Sequence, residues 1–97
     1  MTFEEMQSNA EQASSLLKAM ANKHRLLILC ILNDEELSVS ELNNQILIPQ
    51  STLSQHLSVL RKDNLVCTRR DAQTIYYSLA SKEVKAIIST LHDLYCD

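Results

Sequence analysis

The sequence predicts a mainly α domain with a β-hairpin wing, a winged helix-turn-helix, and three observations carry that prediction. Residues 38–70, SVSELNNQILIPQSTLSQHLSVLRKDNLVCTRR, hold two short amphipathic helical patterns separated by a turn, then a strand ending in paired arginines. In the second pattern Leu53, Leu57 and Leu60 fall at i, i+4 and i+7, while Ser51, Gln55, Ser58 and Lys62 occupy the opposite side. The composition is 45% hydrophobic with only 4% aromatics and no glycine, which favours a leucine- and isoleucine-rich helical core over a sheet with many tight turns. A chain of 97 residues makes one domain, residues 1–97, with an adequate core.

Each element follows from a local signal. Met6, Ala10, Ala13, Leu17 and Met20 recur at helical spacing, predicting a helix over 5–20. Asn22 is placed to cap a second helix running to about Leu32, and its LLILCIL segment, apolar all round, reads as the central buried helix. Ser38 with Glu41 three residues later forms a capping-box signal for a short helix over 39–46. Pro49 breaks the chain just before the reading helix. Asn64 follows that helix and supplies the left-handed stop for which this chain has no glycine. Residues 65–70 and 74–79 then pair as a hairpin around Asp71-Ala72-Gln73, with Ile75, Tyr77 and Leu79 alternating as a half-buried strand. Val84, Ile87, Ile88, Leu91 and Leu94 stripe a last helix over 81–95. The stripes of the first and last helices predict a homodimer that buries them across a two-fold axis.

The net charge of −3 opposes nucleic-acid binding, so its distribution decides. Residues 1–41 carry three basic groups against seven acids, but residues 42–80 carry Arg61, Lys62, Arg69 and Arg70 against only Asp63 and Asp71. The proposed reading half is therefore locally basic and suits double-stranded DNA, while the acidic remainder weakens non-specific binding. Gln55 is the first choice for a base contact, since its amide can donate and accept at an adenine edge. Gln50, Ser51, Thr52, Ser54 and Ser58 are short or polar enough to approach bases or phosphates. His56 lies beside the leucine stripe and suits packing or a phosphate contact, whereas Lys62, Arg69, Arg70 and Gln73 suit phosphates and the wing. Serines that merely solvate an exposed helix are the bland alternative, and they explain poorly why this face lacks Glu.

The acidic, polar start MTFEEMQSNAEQ carries no export signal, and the run 26–32 is too short to span a bilayer. A cytoplasmic location without membrane association is expected, so the three cysteines are thiols by default. Taken alone, Cys30 inside an apolar helix reads as a small core residue, and Cys67 reads as structural. Cys96, next to the last residue, is more accessible, and His92 one turn earlier favours its thiolate. No nucleophile–base constellation or phosphate loop is present, so neither an enzyme nor a cofactor is expected.

ANKHRLLIL, ELSVSEL, QSTLSQHLSVLRKDNLV and TIYYSL occur in order across nearly the whole chain and resemble the ArsR/SmtB family of bacterial winged-helix repressors. With Cys30 in LLILCIL and Cys96 in LHDLYC, the chain is similar to the thiol-sensing branch of that family. The resemblance implies a dimeric regulator on a pseudo-palindromic operator, with Cys30 and Cys96 as redox-sensing residues and reactive sulfur or an oxidant as inducer. It also exposes departures. Where metal-sensing members carry a cysteine motif, residues 36–42 here offer Ser38 and Ser40, poor ligands for soft metals. The last helix has His92, Glu83 and Asp93 without the paired spacing of the family's other metal site, and no metal is expected. At the wing tip Asp71-Ala72-Gln73 replaces Asp-Gly-Arg, removing one arginine from the minor-groove contact. A metal- or arsenite-responsive repressor and a winged-helix protein-interaction module without DNA binding are the competing readings.

Overall fold

The computed structural model describes residues 1–95, which form five helices and a three-stranded antiparallel sheet. Helix α1 spans Phe3–Met20, α2 Lys23–Ile31, α3 Val39–Gln45, α4 Gln50–Lys62 and α5 Lys82–Tyr95. Strand β1 is Leu37–Ser38, β2 is Val66–Asp71 and β3 is Thr74–Leu79. The expected mainly helical fold with a hairpin wing is present.

The local signals act as predicted at most helix ends. The Asn22 side chain accepts from the backbone N–H groups of His24 and Arg25 and starts α2. Ser38 and Glu41 close both halves of the capping box at α3. At the end of α4, Asn64 takes φ 64°, Leu65 N–H donates to Leu60 O at 2.8 Å and Asn64 N–H to Arg61 O at 3.1 Å. That is a Schellman stop, with Leu60 and Leu65 both buried behind it. Asp34 and Ala72 also have positive φ, so a glycine-free chain fills three left-handed positions with Asp, Asn and Ala.

Three expectations need correction. Helix α1 begins at Phe3 rather than residue 5, because the Thr2 hydroxyl accepts from Glu5 N–H and caps it. Strand β1 was not expected; it pairs with β3 through Leu37↔Tyr77 and Ser38↔Tyr76, giving the order β1-β3-β2. Two residues are too few for a period-2 signal. Helix α2 is not buried all round. Ile28 and Leu29 are buried, but Leu27 is 42% exposed and Cys30 is exposed, since neighbouring elements cover only part of its circumference. Hydrophobicity alone does not say which side of an apolar helix is covered.

The core joins Ile28, Leu29 and Leu32 to Leu42, to Leu53, Leu57 and Leu60, and to Val84 and Ile88. Helix α2 is the hub, packing against α1, α4 and α5. Residues 1–15 are all exposed, and of the expected α1 stripe only Met20 is buried. In α5, Val84 and Ile88 are buried while Leu94 is 69% exposed. Both stripes therefore run off the domain's own core. Along β3 the alternation fades toward the tip, with Leu79 buried, Tyr77 half-buried and Ile75 exposed where the wing leaves the body. No described helix is long and apolar enough to cross a membrane.

Candidate nucleic-acid interface

Helix α4 is fixed by its inner stripe. Leu53, Leu57 and Leu60 are buried, and the helix packs on α2 and α3. Its other side presents Gln50, Ser51, Ser54, Gln55, Ser58 and Lys62 as exposed side chains, with Thr52 half-buried. Pro49 precedes the helix, no side chain caps its first N–H groups, and its first turn holds no acid. Open amides at the positive end of a helix dipole suit a phosphate or a base edge. The turn between α3 and α4 is braced by Asn43, whose Nδ2 donates to Ile46 O at 3.1 Å and Ile48 O at 2.9 Å. Sequence reading passed over Asn43 because a mid-helix asparagine resembles a solvated one; the nearby Pro49 was its only signal.

His56 does not share the outward face. It is half-buried, with its ring 5.9 Å from that of His24 on α2. Burial, then the nearby charges of Arg25 and His24, lower its pKa below the ordinary 6.5. A role in packing α4 on α2 fits this position. A depressed folded-state pKa adds stability that is present above the unfolded value and lost as pH falls through the folded value. Urea unfolding from pH 8 to pH 5 should show this loss below about pH 6.5, and His56→Gln should flatten that part of the profile. An unchanged profile in the variant would assign the acid sensitivity elsewhere.

The wing carries Arg69 and Arg70 on β2 and Gln73 at its exposed turn. Arg69 is already engaged: Nη2 lies 2.7 Å and Nε 3.0 Å from Glu36 Oε1, and its guanidinium sits 4.9 Å above the Tyr76 ring. Hydrogen bonding from Arg69 holds the Glu36 carboxyl below its usual range. Glu36 belongs to the acidic run 34–36, which reads as solvent-facing, so sequence gave no sign of this pair. Arg70 turns back to the wing tip, its Nε donating to Ala72 O at 3.3 Å. A phosphate approaching Arg69 would compete with Glu36 for its guanidinium, whereas the bond from Arg70 uses Nε alone.

Of the cysteines, Cys30 lies exposed on α2, not in the core. Cys67 is exposed on β2 with Sγ 3.3 Å from Ser78 Oγ, so it fills no core position either. Both follow from which faces α2 and the hairpin leave open. Cys96 lies outside the described residues; His92, one turn before it in sequence, is exposed. Among the described residues no three His, Cys, Asp or Glu side chains come together as a metal site.

Comparison with known proteins accords with this geometry. Residues 22–68 match the family described as "Bacterial regulatory protein, arsR family", a segment running from the cap of α2 into β2. The chain is 57% identical over 96 residues to the transcriptional activator HlyU of Vibrio cholerae serotype O1, covering 99% of this chain and 89% of that protein. It is 54% identical over 93 residues to the nodulation protein NolR of Rhizobium meliloti, covering 96% of this chain and 76% of the relative. Among solved structures, reduced HlyU from Vibrio cholerae N16961 superposes with a TM-score of 0.94 at 57% identity, covering 98% of this chain and all of the other. A reading helix held by leucines, a hairpin wing beside it and these relatives lead to one assignment: the chain belongs to the ArsR family of bacterial regulatory proteins and is a DNA-binding transcriptional regulator.

Proposed function

We propose that the regulator works as a homodimer on a pseudo-palindromic operator and releases it when reactive sulfur or an oxidant bridges Cys30 to Cys96. The observation that carries this reading is the exposure of Cys30 on α2, the helix against which α5, the element leading to Cys96, packs. A core thiol would be inert; an exposed one can meet a reagent. The apolar stripes left open on α1 and α5, with Phe3 68% and Leu94 69% exposed, support pairing of two copies. One of the similar solved structures is of reduced HlyU.

In forming a disulfide the thiols give up two electrons and two protons, which hydrogen peroxide accepts to become two waters. A trisulfide forms when each thiol takes the outer sulfur of a persulfide, which leaves as a thiol, and the two cysteine persulfides then condense with loss of hydrogen sulfide. A direct disulfide needs Cα atoms within about 7 Å, and each inserted sulfur extends that reach by roughly 2 Å. A pair held slightly too far apart therefore favours a trisulfide or tetrasulfide and responds to persulfide more than to peroxide. Linking α5 to α2 would turn the two α4 helices away from half-sites about one DNA turn apart.

The test is operator binding after persulfide treatment, with mass spectrometry of the Cys30–Cys96 peptide pair. The untreated dimer should bind, the treated one should release DNA, and the linked peptides should carry added sulfur. Cys30→Ser and Cys96→Ser should each stay bound. Release by either variant would remove the bridge from the mechanism.

A further inference from the structure

A cleft on the molecule shares only Lys62 with the reading face, and its other lining residues have no role in the function described above. It has a volume of about 740 Å³ and is bounded by the second half of α1, the start of α2 and the end of α4. Leu16, Ala19, Val59 and Leu65 give it apolar walls, and Lys18, Arg25 and Lys62 stand around them with Asp63 the sole acid. In a chain of net charge −3, three cations converging on one concavity are a local reversal of sign. The only ion pair among the described residues is Glu36–Arg69, so none of the three is neutralised by a carboxylate. Arg25 is held in place by the bond from its Nε to Ala19 O at 2.6 Å, which ties the start of α2 to the end of α1.

We propose that this cleft binds a small organic anion, a carboxylate or phosphate monoester carried on an apolar body. Its shape and lining match that class: a concave site with apolar walls and a few convergent polar groups selects a molecule with one charged end. DNA phosphates are the other anion at hand, but a rod-like backbone does not enter a concavity between three helices. Pairing of two copies through the exposed α1 stripe, as proposed above, would leave the cleft open. Gln12, Ser15, Leu16 and Ala19 line it from one side of α1, while Phe3, Met6, Ala13 and Leu17 form the exposed stripe about 145° around that helix. A bound anion would touch the dimer-facing helix and the last turn of the reading helix together. Its differential affinity for two arrangements of α1 and α4 would act as an input separate from the cysteines.

The experiment is a ¹H–¹⁵N titration of the full reduced chain with phenyl phosphate, benzoate and inorganic phosphate, at constant ionic strength set with sodium chloride. Phenyl phosphate and benzoate should give saturable shifts concentrated at Ser15, Lys18, Arg25 and Asn64, with inorganic phosphate weaker because it leaves the apolar walls unfilled. Lys18→Gln should weaken binding about fivefold, the worth of one partly screened charge, and Lys18→Arg should preserve it. The salt dependence of DNA binding by Lys18→Gln should match that of the parent chain. Non-saturating shifts spread over the surface, or saturable shifts indifferent to Lys18→Gln, would overturn the proposal. So would a salt slope lowered by about one with no small-anion binding, which would make Lys18 a DNA phosphate contact.

Discussion

Leu57→Ala should cost about 2–5 kcal/mol of folding stability, as truncation of a fully buried leucine does. Leu57 is 1% exposed and sits between Leu53 and Leu60 on the stripe that seats α4 against α2 and α3. Truncation removes buried methyl groups and leaves a cavity that two flanking helices can only partly close. A domain of this size holds about 5–15 kcal/mol in total, so the variant should unfold at a much lower urea midpoint with an unchanged slope. Val59→Ala, on the same helix but partly exposed, should cost under about 1 kcal/mol and serves as the control. Equal losses in the two variants would mean that α4 is not anchored through its leucines.

Gln55→Ala should lower operator affinity by about 1–3 kcal/mol, roughly 5- to 150-fold, while leaving stability nearly untouched. Gln55 is exposed midway along the outward side of α4, with no hydrogen-bond partner to lose among the described residues. Its loss should be confined to the cognate sequence. Lys62→Gln should instead weaken all duplexes alike and lower the salt slope by about one, as a phosphate contact does. Anisotropy titrations of cognate and scrambled duplexes at several salt concentrations separate the two. A Gln55→Ala variant that binds both duplexes like the parent would move base reading to the serines beside it.

The parts of this interface that were legible in sequence are those encoded within one element. The Leu53–Leu57–Leu60 spacing sets the buried side of α4 and therefore its outward side. The capping box at Ser38, the Asn22 cap and the Asn64 stop are short-range hydrogen-bond patterns and appear where local chemistry placed them. What the sequence left open depends on what packs against what. His56 lies beside the leucine stripe as expected, but only the fold supplies its neighbour, because α2 brings His24 against it. Arg69 reads as a free wing cation until β1 carries Glu36 alongside β3 and within reach of it, 33 residues away in the chain.

The sequence by itself thus determined the order of elements, the limits of most helices, the side of α4 that faces outward and, through its resemblance, the family. Only the tertiary structure decided which side of the apolar helix α2 stays uncovered, bringing Cys30 to the surface, and which partners Arg69 and His56 take. The same folding gathers Lys18, Arg25 and Lys62 around one cleft although they come from three helices. The physical reason is the range of the information. Periodicity and capping are fixed by neighbours within about four residues, whereas burial of one side of an all-apolar helix, or pairing of charges remote in sequence, is set by the elements that pack beside them.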